Sequence, residues 1–410
     1  MSSQKLSGSA LFYLSLYWFS INFHWGALLT VVIPAEVLRF VADAEKAKYL
    51  GLVFFAGAFI AMVTQPIIGA ISDRSGSTWG RRRPYILAGG LANCLALLGM
   101  AYSPKLSWFV VAFLLVQFFN NVSGSAYQAL IPDLVPEDQR GTASGLMGVM
   151  TMLGTILSLG LAGIMLGQGA RVLFYWVIVG IMMAGILVTM FKVKEIPYRY
   201  QEPWVFRQFL ASFWVSPRQF PDFAWLWVSR ALIMLGFYTL LNFLEYYLKD
   251  VTGLVKFIEA TTGVGAAVMV GAAVSTFFSG WLSDRIGRRI IVFTAGMLMG
   301  VTALTFLAGP AYEVILGVAV VFGIGYGAFI SVDWALAVDV LPSARSAGKD
   351  MGLWGISVTL PQVIAPLIGG QVLYYFHPWG GHWEYKILYL IAFAYFLAGS
   401  LGVWKIRKAK

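Results

Sequence analysis

Three ionisable residues, Arg230, Glu245 and Asp333, stand inside stretches of chain that otherwise read as apolar. A charge in hydrocarbon costs several kcal/mol unless it is paired or wetted, so such residues point to coupling or binding before they point to packing. Arg230 lies about seven residues inside one apolar stretch, and Asp333 lies six residues before Asp339 at the end of another. With the α-helical rise of about 1.5 Å per residue, both sit roughly 10 Å deep from the same side, which allows an ion pair. That bridge is either made and broken with solute or proton movement, or purely structural; the sequence admits both readings.

Polar residues elsewhere recur at helical spacing. Gln117, Asn121, Gly124 and Gln128 follow i, i+4, i+7 and i+11, with Asn120 and Tyr127 beside them. Tyr13, Tyr17, Ser20 and His24 form a second stripe next to Trp25, and Tyr238, Asn242 and Glu245 a third with Arg230 at its edge; Tyr326 shares a stretch with Asp333. Amides, hydroxyls and aromatic faces together suit a polyhydroxylated ligand, because each ligand hydroxyl needs a partner and each sugar ring offers a flat apolar face. The same residue types also serve as glue between helices, and a lone histidine such as His24 is more often glue. His377 and His382 lack a third ligand at defined spacing, so no metal or other cofactor is expected. The glycines at 323, 325 and 327 follow no strand, which excludes a dinucleotide fingerprint and leaves close packing or a kink. Pro361 and Pro366 read as kinks or packing residues. With no nucleophile–base set and no phosphate loop, an enzyme has no support.

The elements that carry these residues follow from composition. Charged residues make up 12% of the 410, against about 25% in soluble domains, while 59% are hydrophobic and mean hydropathy is +0.76. Such a chain cannot cover a core with polar surface, so its solvent is lipid. Cys94, the single cysteine, excludes a disulfide scaffold. Twelve segments are long enough to span a bilayer: 10–36, 49–72, 85–103, 107–132, 142–167, 171–191, 223–248, 260–283, 289–309, 312–338, 350–376 and 385–404. The first is too long for a signal-peptide core and belongs to the mature chain. With both termini inside, 20 of the 29 Lys and Arg fall on the inner side, eight on the outer side, and Arg230 within a span. The net charge of +10 is therefore directed at the anionic headgroups of the inner leaflet, not at nucleic acid. A polar interruption at 192–222 separates two halves, 1–191 and 223–410. Its interleaved Trp204, Phe206, Phe209, Phe213 and Trp214 read as an amphipathic segment on the inner surface.

An internal repeat supports that division. Ser-Asp-Arg occurs at 72–74 and 283–285, and Gly-Arg-Arg at 80–82 and 287–289, offsets of 211 and 207. Ala129, Leu130, Asp133 and Pro136 return as Ala335, Leu336, Asp339 and Pro342, all offset by 206. The copies run the same way, so the halves are parallel repeats. Gly69 and Asp73 share a helix face, where the glycine would let a neighbouring helix approach and the carboxylate would meet that helix's positive N-terminus. Arg74, Arg81 and Arg82 follow, and Gly280, Asp284, Arg285, Arg288 and Arg289 repeat the set. Such clusters act as a latch, made in one conformation and broken in another, or simply anchor the topology.

The duplicated motif and the six-plus-six plan resemble the major facilitator superfamily. Within it, Gln65-Pro66, Gly69, Ser72-Asp73-Arg74 and the run from Gly80 to Gly89 resemble the plant sucrose transporters, their animal relatives and the glycoside–cation symporters. Phe23, Trp25, Pro34, Asn120-Asn121, Ala129-Leu130 and Asp133-Leu134 extend the likeness over roughly the first 165 residues. The resemblance implies an all-α membrane protein of twelve transmembrane helices in two six-helix bundles. It also implies a cavity lined by spans 1, 4, 7 and 10, and alternating access. Against the plant pattern, Gln117 stands where the family has an acid associated with proton coupling, Gln128 where it has an arginine, and Leu28 where it has a glutamine. Glutamine cannot titrate, so a proton-driven cycle would fall to Asp333 or Glu245, the latter near the outer surface where water could solvate it. The expected activity is secondary transport of a small polar solute, a sugar or glycoside, across the cell (inner) membrane. Proton coupling, sodium coupling and facilitated diffusion all stay open. An exporter of amphipathic compounds and a non-transporting assembly factor are the alternatives.

Overall fold

The structure, a computed structural model, describes residues 5–73, 75–136, 139–195, 216–340 and 347–407. Among them there is no strand. The helices are α1 Gly8–Ala27, α2 Ile33–Phe40, α3 Lys46–Asp73, α4 Arg83–Ala101, α5 Leu106–Leu134, α6 Arg140–Gly167 and α7 Arg171–Lys192. They continue as α8 Pro221–Leu241, α9 Leu244–Asp250, α10 Phe257–Ile286, α11 Arg288–Thr305, α12 Tyr312–Asp339, α13 Ala347–Phe376 and α14 Trp383–Val403. Among the described residues twelve helical stretches are long and apolar enough to cross a membrane, one at each of the twelve expected positions. The interruption at 196–215, including the aromatic residues read as an amphipathic segment, lies outside the described residues.

Helices form here because a backbone amide in lipid can be satisfied only within its own segment. Their outer faces are apolar too: Leu95 is 71% exposed, and Trp108, Ile164, Phe191 and Phe278 are exposed as well. That pattern would be costly in water and is the expected one where lipid is the solvent. Proline marks the starts of α4 and α8, where a missing N–H costs nothing. Pro361 and Pro366 instead lie inside α13, which continues through them.

Span 1 is interrupted between α1 and α2 by a π-turn at Leu28–Val32, in which the Ile33 N–H bonds the Leu28 carbonyl five residues back. Pro34 has no N–H to continue an α-ladder at this point. Neighbouring groups absorb the disturbance: Ser158 Oγ accepts the Ala27 N–H at 3.1 Å, and Thr30 Oγ1 donates to the Gly26 carbonyl at 2.9 Å. Span 7 breaks at the corresponding height, a turn at Asn242 and Phe243 separating α8 from α9. The sequence pattern signalled neither break.

The contacts group the chain into two units. One holds α1, α2, α3 from Ala56 onward, and α4 to α7; the other holds Val41–Phe55 and α8 to α14. In the first, α1 packs on α6 and α7, and α4 packs on α5 and α7. In the second, α8 packs on α13 and α14, and α11 packs on α12 and α14. These four pairings correspond one to one, as parallel repeats require. Gly80 and Gly287, offset by 207, even share a φ of +99°, a left-handed value that favours glycine.

The glycine run of α12 is a packing device. An added Cβ would strike the Val268 carbonyl at Gly323 and the Ala272 carbonyl at Gly327, both on α10, and would come within 2.9 Å of the Ala295 carbonyl on α11 at Gly325. Small residues on both sides let the backbones touch, which replaces the hydrophobic drive that lipid cannot supply. Gly327→Leu should therefore overpack α10 against α12, at a cost on the order of 1–3 kcal/mol. A Cβ at Gly317, on the same helix, meets nothing within 4 Å. Thermal unfolding in detergent should show a lowered midpoint for Gly327→Leu and none for Gly317→Leu.

Candidate functional site

In the first unit, α1, α3 and α5 bring neutral polar groups together. Trp25 Nε1 donates to Asn120 Oδ1 at 2.9 Å, and Gln65 Nε2 donates to Asn121 Oδ1 at 2.8 Å. Asn121 Nδ2 turns back to the Gln117 carbonyl at 2.6 Å. Gln117, Asn120 and Asn121 are buried, Trp25 is half-buried and Gln65 is exposed. Among the described residues Asn120 Nδ2 has no partner. The set thus combines an indole, four amides and an unspent donor.

Other members of the sequence stripes serve packing instead. Tyr17 is fully buried and hydrogen-bonds Ser123, while the Tyr127 hydroxyl donates to the Leu14 carbonyl. Their rings meet edge to face at 5.1 Å. Ser20 Oγ donates to the Ile181 carbonyl at 2.9 Å. These groups tie α1 to α5 and α7, and the hydroxyls of Tyr17 and Tyr127 are engaged between helices. His24 is also fully buried, edge-on to Trp25 at 4.4 Å. Neither of its ring nitrogens has a partner among the described residues. Gln128 is exposed and stands apart from the amide set.

At the other end of this unit lies the arginine cluster. Arg82 is 3% exposed; its Nε is 3.2 Å from Asp133 Oδ2, and its Nη1 donates to Ser72 Oγ at 2.6 Å. Arg81 pairs with the same carboxylate through Nε, at 3.2 Å, and Nη2. The free N–H groups before α4 attract an anion, and Glu195 supplies it. Its carboxylate accepts from the backbone of Arg81 at 2.9 Å, Arg82 at 2.9 Å and Arg83 at 3.3 Å. Gly80 is required twice over, for its positive φ and because a Cβ would collide with Glu195. The sequence pattern did not mark Glu195, whose only signal was its place just after a span. At Gly69, among the described residues, nothing lies within 4 Å of an added Cβ. Arg74 and the side chains of Asp73, Gly280, Asp284 and Asp339 lie outside the described set. Of the second copy, Arg289 Nη1 donates to the Ile406 carbonyl at 2.7 Å, and Arg285 and Arg288 are also engaged.

The second unit carries the charged part. Arg230 on α8 and Asp333 on α12 meet at 2.6 Å between Nη1 and Oδ2, with side chains 8% and 2% exposed. The approach is close but poorly aligned: among the described residues neither carboxylate oxygen, nor Arg230 Nε or Nη1, makes a hydrogen bond of good geometry. The guanidinium carbon lies 3.4 Å above the ring of Trp354 from α13, a cation–π contact that compensates part of the desolvation. Tyr238 and Tyr326 sit within electrostatic reach of the guanidinium. Tyr238 Oη accepts from Gln362 Nε2 at 2.5 Å, and Tyr326 stacks on Phe237 at 4.4 Å. Trp354 and Gln362 were missed because α13 was not among the spans expected to line a cavity. Asn242 is buried at the break after α8. Glu245 is not solvated as expected: it is 1% exposed. His377 and His382 both approach Glu384 Oε1, at 3.5 Å and 3.8 Å, and no group among the described residues could hold a metal.

Comparison with known proteins places this geometry. Residues 41–376 match the family described as MFS/sugar transport protein. The multi-drug resistance efflux pump PmrA of Streptococcus pneumoniae is 24% identical over 366 residues, 88% of each chain. The sucrose transport protein SUT1 of Oryza sativa is 28% identical over 159 residues, 33% of this chain and 29% of that protein. Among solved structures, the nucleoside transporter NupG superposes with a TM-score of 0.76 at 12% identity, covering 97% of this chain and 100% of that one. A bacterial homologue of the human lysosomal transporter Spinster gives 0.70 at 17% identity, covering 97% and 98%. The match to the family spans most of the chain, and the fold is the one those transporters share. The chain is a multi-pass membrane transporter of the major facilitator superfamily and belongs to its MFS/sugar transport family.

Proposed function

We propose that this transporter carries a small polyhydroxylated solute, a sugar or glycoside, by alternating access and in symport with a proton. The observation that carries the reading is the neutral polar set of the first unit, where the indole of Trp25 and the amides of Gln65, Gln117, Asn120 and Asn121 lie side by side. A sugar presents hydroxyls that both donate and accept, and amides match both capacities. The sucrose transport proteins among the relatives support the same solute class. The protein sits in the cell membrane with both termini inside, its basic loops against anionic headgroups. The cluster of Arg81, Arg82, Asp133 and Glu195 serves as the inner latch of the cycle.

Export of amphipathic compounds is the second reading, favoured by the efflux pump that aligns over 88% of the chain. One assay separates the two. Purified protein in liposomes should take up labelled sucrose or another disaccharide faster when the lumen is alkaline. No movement of any sugar, alongside extrusion of hydrophobic cations, would establish the exporter instead.

Arg230 and Asp333 are assigned to coupling, because a misaligned buried pair holds its charges without locking them. Removing one partner strands the other, at a cost of about 3–5 kcal/mol. Asp333→Asn and Arg230→Gln should each lose thermal stability in detergent. The exchange Arg230→Asp with Asp333→Arg should regain most of that stability yet leave gradient-driven uptake abolished. Full uptake by both single variants would remove the coupling role.

A further inference from the structure

The two short helices that follow the breaks in spans 1 and 7 each begin with a buried carboxylate. Glu36 on α2 and Glu245 on α9 are offset by 209, inside the 206–211 range that relates the repeats, and each is 1% exposed. Their surroundings differ completely. Glu36 lies 2.7 Å from Arg171 Nη1 and 3.1 Å from Arg39 Nε. At the same offset those two arginines correspond to Leu248 and Gly380, and the next residue, Lys249, pairs with Asp43 rather than with Glu245. Among the described residues neither oxygen of Glu245 has a hydrogen-bond partner.

The charges nearest along the chain are already matched. Lys249 pairs with Asp43, and Lys46 lies 3.1 Å from Asp43 and 2.5 Å from Asp250. The Tyr385 hydroxyl donates to the other oxygen of Asp250 at 2.5 Å. Of the titratable groups on α9, Tyr246 lies within electrostatic reach of Glu245 and is overlain by Lys46 at 5.1 Å from its ring, beside Tyr247, Lys249 and Asp250; α10, which packs on α9, opens with Lys256 and Glu259. None of these groups hydrogen-bonds the Glu245 carboxylate. An ionised carboxylate buried without a cation or donor is far costlier than the neutral acid. Asp333 differs in kind, since Arg230 balances it.

We propose that Glu245 is the residue that binds and releases the coupling proton. It is neutral while buried as described, and it ionises when α9, joined to α8 only by the turn at Asn242 and Phe243, lets water reach it. This assignment rests on the reading of the chain as a proton symporter, and the test separates the two. Infrared spectra of the purified full-length protein at neutral pH should contain a protonated carboxyl C=O band that Glu245→Gln removes and Glu245→Asp shifts. In liposomes with one pH unit across the membrane, the wild type should accumulate sucrose up to about tenfold, one pH unit being a tenfold free-energy equivalent. Glu245→Gln should only equilibrate it. Absence of the band, its survival unchanged in both variants, or full accumulation by Glu245→Gln would overturn the assignment. Should the wild type move no sucrose at all, the symport reading fails, and the infrared result still decides whether Glu245 holds a proton.

Discussion

Within a bilayer a polar group has no water to fall back on, so each amide, hydroxyl and charge must be answered by another part of the same chain. That constraint explains why the described chain is helical throughout its spans and why its outward faces are apolar. It also explains why α10 and α12 meet through glycine, where only direct backbone contact remains to hold helices together. The same rule gives meaning to the exceptions. When Pro34 withholds its N–H, the π-turn at Leu28–Val32, Ser158 and Thr30 rearrange to answer the groups it disturbs. Of the two carboxylates that follow the breaks, Glu36 finds arginines, whereas Glu245 has no hydrogen-bond partner among the described residues.

Duplication supplied one plan, and the halves then diverged around it. The recurring helix pairings and the shared left-handed glycines, Gly80 and Gly287, are what the two copies kept. Their side chains are what they changed. In the first half Arg81 and Arg82 converge on Asp133 while Glu195 covers the start of α4. In the second, Arg289 reaches the Ile406 carbonyl.

Much of the architecture was legible in the sequence because the features that encode it are local. Span lengths, basic loops and the 206–211 offset are properties of neighbouring residues. Depth along a helix is equally local, which is why the meeting of Arg230 and Asp333 followed from counting residues. What stayed hidden depends on rotation about the helix axis and on distant partners. Tyr17 and Asn121 both sat on polar stripes, yet Tyr17 turns into α5 as packing while Asn121 joins Gln65. Trp354 carried no polar pattern to mark it, and only packing places its ring over Arg230.

The distribution of charge between the units follows from what each is asked to do. In the first unit the described buried or latched carboxylates, Glu36 and Asp133, each hold two arginines, and Gln117 occupies the place where the resembling sucrose transporters carry an acid. The buried amides of that unit are neutral donors and acceptors, a chemistry that suits hydroxyls without a desolvated charge to compensate. In the second unit Asp333 is balanced by Arg230, whereas Glu245 has no hydrogen-bond partner among the described residues. A carrier that binds a neutral solute and a proton gains from this separation. A sugar is recognised best by groups whose protonation never changes, whereas the proton needs a group whose charge is costly in one conformation and tolerated in the other.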